Sequence, residues 1–349
     1  MLLFRKACLL VAGSAAILAT ALSARGNETW SAAAAIAALA AAGGLGAVPA
    51  LVGYQFTLSI VAVVGAAMLR PAWFLSVGPL NVLGVEIPGV DLRAPALLQG
   101  IVQLVMFGMG TKMSLQDFAG VAKMPRPVLI GLALQFSVMP LTGFALATAF
   151  GFEPEIAAGV VLIGSCSSGL ASNVMCYLAG ANLPLSITLT ALATLLAPVM
   201  TPFWMRTLAG AVVERSFLEM MVDIVKMTIV PIGAAMIHNY LTTASPAAWR
   251  RTLLAAAIAA VAFVLVRTVA AANLADPSAP FPMPTTLASY LLAAPVAGVA
   301  YHFLAAMAPG IDRRIHLVSM AGIIFFTAVA TAAGRHNLLV AGLALGAGV

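Results

Sequence analysis

A chain of 349 residues that is 62% hydrophobic and only 8% charged, with a mean hydropathy of +1.07 and a net charge of +6, cannot keep a globular surface wet. The same figures exclude a disordered chain, a coiled coil and a disulfide scaffold, and the three cysteines (Cys8, Cys166, Cys176) lie in apolar segments. A helix crosses a hydrocarbon core about 30 Å thick with roughly 20 residues, so the length suits about eleven or twelve spans of an all-α polytopic membrane protein.

In chain order, Arg5 and Lys6 precede an apolar stretch over 7–22. Its grammar fits either a cleaved signal peptide or a retained helix, and the Ala-rich span at 31–48 directly behind it favours retention. A span at 56–69 closes at Arg70-Pro71, and a long polar connection runs to about Pro95. Further spans are predicted over 96–110, 128–150, 156–179, 185–205, 218–238, 252–272, 286–307 and 316–333, with a last one opening near Leu338. No basic run exceeds two residues, so the positive charge is no nucleic-acid footprint, and no CxxC or His/Cys cluster suggests a metal site. With Arg5 and Lys6 inside, alternate loops carry Lys112, Lys123 and Arg126, then Arg250 and Arg251, then Arg313 and Arg314. The opposite loops carry Glu153, Glu155 and Asp276. The positive-inside rule therefore places the N-terminus in the cytoplasm.

The stretch Gly164-Ser165-Cys166-Ser167-Ser168-Gly169-Leu170-Ala171-Ser172-Asn173 is the least membrane-like inside a predicted span. Lipid penalises such polar groups, so they face protein or a water-filled cavity. Glycine permits local unwinding, and unwound backbone exposes the carbonyls and half-helix ends that bind ions in secondary transporters. A small-residue packing face accounts for the same composition equally well. In the next span Ser186 and Thr190 share one helical face, where their hydroxyls can join Ser172 and Asn173 in an all-oxygen shell for a hard cation such as Na⁺. Back-bonding of each hydroxyl to a carbonyl one turn earlier is the alternative, and for these two residues alone the commoner one. Gln135, mid-span, is either interhelical glue or a cation ligand.

These pieces carry a resemblance. From about Leu98 to Leu241 the chain resembles the bile acid:sodium symporter family, also called sodium/bile acid cotransporter-like. The matching pieces are Met106-Phe107-Gly108-Met109-Gly110 with Asp117-Phe118, LIGLALQFSVMPLTGFALA, PEIAAGVVLIGSCSSGLASNVMCYLAGANLPLSITLTALATLLAPVMTP and DIVKMTIVP. A weaker match, IHLVSMAGIIFFTAVATAAGRHNLLVAGL, resembles the family's seventh helix and the entry to its eighth. The resemblance implies a ten-helix transporter fold of two inverted repeats, with a panel domain packed on a core domain in which two broken helices cross near the midplane. It implies Ser172, Asn173, Ser186 and Thr190 as ligands of one Na⁺, Gln135 as a ligand of a second, and Ser167, Ser168, Gly169 and Leu170 as neighbours of the substrate.

On the same resemblance, 1–54 holds extra N-terminal helices and 55–241 the first six family helices, with core helices at about 128–205. An inserted hydrophobic pair follows at 242–311, for which packing or oligomer contacts are expected, then the seventh helix and the start of the eighth at 312–349. The family's Cys-Pro-Gly-Gly is Cys166-Ser167-Ser168-Gly169 here, so the helix break relies on glycine and serine. Leu170 stands where the family frequently has Thr, which bears on substrate contacts. A C-terminally truncated member, lacking the C-terminal helices, is expected, because the family's Glu-x-Gly-x-Gln-Asn helix is not among the 349 residues. The candidate ligands present are neutral, so these residues alone are expected not to support Na⁺-coupled uptake.

The function the resemblance implies is secondary active transport, a Na⁺-coupled symport of a small or amphipathic organic anion (a bile acid, a pantoate-like acid or an oxo acid). A multi-pass protein of the plasma (inner) membrane is expected, with that anion and the lipid bilayer as partners and no nucleic acid; oligomeric state is left open. A proton-coupled or uncoupled carrier of the same fold is one alternative, and a non-transporting membrane sensor or scaffold another. An enzyme is disfavoured, since no Ser/His/Asp, His/Glu or paired-carboxylate set lies at a common depth. Lys226 is read as snorkelling or pairing with Asp223, with substrate contact as the alternative, and His238, His302 and His316 are read as interface residues near helix ends, not as a proton relay.

Overall fold

The computed structural model describes residues 2–24, 29–44, 55–77, 80–82, 85–87, 90–113, 124–169, 172, 176, 179–210, 215–272, 283–308 and 310–346. Apolar runs of this composition become helices because a backbone surrounded by lipid must satisfy its polar groups internally. The chain divides into two compact units, Met1–Val105 with Leu317–Val349, and Met106–His316.

In the first unit α1 (Leu2–Ala24) packs on α2 (Trp30–Gly44), and α2 on α3 (Gln55–Leu69). The connection expected as a polar loop is folded. It holds the short α4 (Ala72–Leu75) and two antiparallel strand pairs, β1 (Ser76–Val77) with β4 (Val90–Asp91) and β2 (Leu80–Val82) with β3 (Val85–Ile87). Arg93 Nε donates to Asp91 Oδ1 at 3.1 Å, and this guanidinium holds the Asp91 carboxyl below the usual carboxylate range. α5 (Pro95–Gly110) follows.

The last helix, α14 (Ile311–Gly346), corrects the expected end at 333 and the separate span expected to open near Leu338. A Cβ on Gly334 would meet nothing within 4 Å, so this glycine gives the helix no steric reason to stop. Glycine in a helix costs about 1 kcal/mol against alanine, less than abandoning the hydrogen-bond ladder in lipid. Arg335 is held in place, its Nε donating to the Met68 carbonyl at 2.7 Å.

The second unit contains α6 (Pro125–Gln135), α7 (Val138–Ala149), α8 (Pro154–Ser165), α9 (Leu183–Leu208), α10 (Phe217–Ile224), a π-helical turn at Val225–Ile229, α11 (Val230–Thr243), α12 (Pro246–Ala272) and α13 (Met283–Met307). The span expected over 128–150 is broken at Phe136-Ser137. Phe136 is buried there, and Pro140 brings no N–H to the Phe136 carbonyl one turn earlier. The π turn likewise precedes a proline, Pro231. α7 and α8 form an antiparallel hairpin with a glycine toward each end of the crossing. A Cβ on Gly143 would lie 3.0 Å from the Val160 carbonyl oxygen, and one on Gly164 would lie 2.5 Å from that of Met139.

Six segments among the described residues are long and apolar enough to cross a membrane: Pro125–Ala149, Leu183–Leu208, Phe217–Thr243, Pro246–Ala272, Pro284–Met307 and Leu317–His336. Shorter apolar helices, among them Trp30–Gly44 and Pro154–Ser165, accompany them. The protein is a predominantly helical, multi-pass membrane protein.

Candidate functional site

The site forms where α8 stops. Cys166 leaves the helix in an extended conformation (φ −74°, ψ 156°), so the last carbonyls of α8 have no N–H one turn ahead. Side chains from neighbouring helices take their place. Thr201 of α9 donates Oγ1 to the Ser165 carbonyl at 2.7 Å, and Gln135, the last residue of α6, donates Nε2 to the Cys166 carbonyl at 3.2 Å. Ser165 is fully buried, and its own hydroxyl donates back to Val161 at 2.7 Å. Beyond the break, the Ser168 and Ser172 hydroxyls lie 2.9 Å apart, and Ser172 donates to the Gly169 carbonyl at 2.7 Å.

A cavity of about 150 Å³ opens between α6, the segment after α8, and α9. Gln135, Ser168, Ser172, Ser186 and Thr190 all line it. At about 30 Å³ for a water, that volume accommodates a cation with part of its hydration shell. The polar side chains around it are neutral; among the described residues no carboxylate lines it, and no cluster of His, Cys, Asp or Glu could hold a metal ion. α8 ends at Cys166, whose carbonyl accepts from Gln135 of the cavity wall. The arrangement offers oxygen ligands to a hard monovalent cation.

Of the other sequence candidates, Asn173 and Leu170 lie outside the described residues, and Ser167 and Gly169 do not line this cavity. Back-bonding of the kind weighed for the α9 hydroxyls occurs at Thr188, to the Pro184 carbonyl at 2.9 Å, and at Thr194, to that of Thr190 at 2.8 Å. Sequence reasoning missed the tie between Ser165 and Thr201. Its signal was present: Thr190 and Thr201 lie eleven residues apart, three turns on one face of α9.

That tie is testable. Thr201→Val keeps the side-chain shape and leaves the buried Ser165 carbonyl without its donor, which is expected to cost about 1–3 kcal/mol in a micellar melt. Thr201→Ser is expected to restore most of the loss. Equal melting of wild type and Thr201→Val would show the hydrogen bond to be dispensable.

A second polar group sits on α10 and the π turn. Asp223 is shared by Arg215 Nη1 at 2.7 Å and Lys226 Nζ at 2.6 Å, and Lys226 also stands 6.0 Å from the Tyr290 ring centre. The expected pairing of Lys226 with Asp223 is observed.

With this geometry in place, similarity to known proteins becomes informative. The family model described as "Sodium Bile acid symporter family" matches residues 101–277, a little over half of the chain. The "Uncharacterized sodium-dependent transporter YocS" of Bacillus subtilis (strain 168) is 36% identical over 156 residues, 45% of this chain and 49% of that protein. The "Probable sodium/metabolite cotransporter BASS1, chloroplastic" of Arabidopsis thaliana is 35% identical over 136 residues, 39% of this chain and 34% of its own length. The "Ileal sodium/bile acid cotransporter" of Homo sapiens is 41% identical over 102 residues, 29% of each chain. The matched regions thus span half or less of these relatives' length, and all three relatives are named as transporters.

Proposed function

This chain belongs to the sodium bile acid symporter family, and from that premise we propose that it takes part in Na⁺-coupled uptake of a small or amphipathic organic anion, these residues supplying cation ligands without supporting coupled uptake by themselves. The observation that carries the reading is the cavity at the broken end of α8, where Gln135, Ser172, Ser186 and Thr190 converge without a carboxylate among the described residues. Neutral oxygens suit a monovalent cation that must bind and leave again. Na⁺ is cargo here. Ser172, Asn173, Ser186 and Thr190 are proposed as ligands of one Na⁺ and Gln135 as a ligand of a second, and Ser167, Ser168, Gly169 and Leu170 are proposed to lie beside the organic anion. Thr201 and Gln135 fix the broken end of α8 through its freed carbonyls, so they also position the cavity wall. The names of the relatives, which pair sodium with a metabolite or a bile acid, support an organic anion as the co-substrate. We place the protein in a plasma (inner) membrane with its N-terminus in the cytoplasm.

The test is Na⁺ binding by the intact protein in micelles, followed with radioactive Na⁺ against a choline background. Thr190→Val and Ser172→Ala are each expected to weaken Na⁺ binding about tenfold, equivalent to about 1.4 kcal/mol. Unchanged affinity in both variants, or binding that choline abolishes as effectively as Na⁺ competes, would overturn the assignment.

A further inference from the structure

The inner faces of α11, α13 and the start of α14 enclose a polar cluster that the cation site does not use. α12 returns the chain, so α11 and α13 run side by side in the same direction. A Cβ on Gly298 would lie 2.5 Å from the Ala234 carbonyl oxygen, which sets how closely they approach. One turn further along, His238 of α11 is 4% exposed. Its Nε2 lies 3.5 Å from Asp312 Oδ1 of α14, and the Tyr301 hydroxyl of α13 donates to the same oxygen at 2.9 Å. The His238 ring meets Tyr301 edge-on at 4.8 Å, and the His302 ring centre lies 5.4 Å away. Asn239, the next residue of α11, donates Nδ2 to the carbonyls of Thr111 at 3.1 Å and Met113 at 2.8 Å, which fixes the backbone beside the cluster.

Two atoms in this cluster are anomalous. The Nδ1 atoms of His238 and His302 are both buried and have no hydrogen-bond partner. With Nε2–H of His238 directed at the carboxylate, the neutral ring leaves a bare nitrogen lone pair in a site with little water, which is unfavourable. Each such nitrogen is a place a proton can enter. Among the described residues, the titratable or charged groups facing His238 are Asp312 from α14 and Tyr301 and His302 from α13.

We propose that His238, His302 and Asp312 form a two-proton site that joins the α12–α13 hairpin to α11 and releases it on acidification. The charge count sets the order of events. With both imidazoles neutral and Asp312 ionised the cluster carries one negative charge. One proton brings it to neutrality and pairs an imidazolium with the carboxylate. A second proton places two imidazolium rings with centres 5.4 Å apart, with a single carboxylate, that of Asp312, against the first of them. Opening the hairpin end hydrates both rings and relieves that repulsion. Histidine is the side chain suited to such a response, and the joint therefore answers to acidification. The device lies on the hairpin and is independent of the Na⁺ reading.

The experiment is hydrogen–deuterium exchange on the intact protein in micelles at about pH 8 and about pH 5.5, corrected for the intrinsic pH dependence of exchange. Wild type is expected to lose protection several-fold over 234–243 and 298–307 at the lower pH. His302→Gln, which cannot take the second proton, is expected to hold that loss below about twofold. Asp312→Asn, at an exposed position that does not threaten the fold, removes the compensating charge and is expected to move the opening midpoint up by roughly one pH unit. An acid response of equal size in wild type and His302→Gln, no response in wild type, or an unshifted midpoint in Asp312→Asn would each overturn the proposal.

Discussion

Gly164→Leu is expected to abolish the folded state, and Gly164→Ala to lower its stability by about 1–3 kcal/mol. The reason is where the new atoms would go. A Cβ on Gly164 stands 2.5 Å from the Met139 carbonyl oxygen, 3.1 Å from its carbon and 3.2 Å from Pro140 Cα. All three are backbone atoms, and the Pro140 ring stiffens the strand of helix that would have to yield. α7 and α8 must separate, and Ser165, the next residue, then moves away from Thr201 while Cys166 moves away from Gln135. The cavity wall is lost together with the packing. Gly159 supplies the control, since it lies in the same helix and a Cβ there meets nothing within 4 Å. Gly159→Ala is expected to be neutral or to stabilise by up to about 1 kcal/mol, because only helix propensity changes. Melting and the monodisperse fraction in micelles read both variants. If Gly164→Ala melts with Gly159→Ala, the close approach of α7 and α8 is not a determinant of the fold.

The contrast between these glycines shows what a sequence exposes and what it hides. Runs of Ala, Leu, Val and Ile announced the helices, because apolar length alone decides whether a segment can cross lipid. Gln135, Ser168, Ser172, Ser186 and Thr190 stood out for the complementary reason, as polar groups in segments where polarity is costly, and the fold gathers them around one cavity. The break at Phe136-Ser137 left no such mark. Its cause is a proline four residues after Phe136 and a phenylalanine that buries itself, and each of these also occurs in unbroken membrane helices. The helix end expected at 333 erred in the opposite direction, since Gly334 touches nothing and the helix continues through it. The His238 cluster was illegible for a third reason. Its members come from 238, 301, 302 and 312, and only the return of the chain through α12 brings them together. Read singly, each histidine near a helix end is an interface residue.

Asp223 leads to the second large effect, and the expected pattern is asymmetric. Asp223→Asn is expected to destabilise the protein by about 2–4 kcal/mol, whereas Lys226→Met costs less than about 1 kcal/mol. Asp223 serves two cations, Arg215 at 2.7 Å and Lys226 at 2.6 Å. Removing it takes the shared carboxylate from both. Removing Lys226 leaves Asp223 paired with Arg215. The loss matters most at Lys226, which is 16% exposed where Arg215 is 68% exposed and can turn to water. Lys226 lies nine residues beyond the start of α10, inside the segment Phe217–Thr243 that is long and apolar enough to cross a membrane. An ammonium within such a segment without its carboxylate is opposed by desolvation. The double variant Asp223→Asn/Lys226→Met is therefore expected to recover most of what Asp223→Asn loses, giving a coupling of about 1–2 kcal/mol in a double-mutant cycle. Additive losses, or a Lys226→Met variant as unstable as Asp223→Asn, would show that the pair does not govern this span. The predicted asymmetry thus separates a shared carboxylate from an isolated ion pair, for which either single substitution would leave one uncompensated charge.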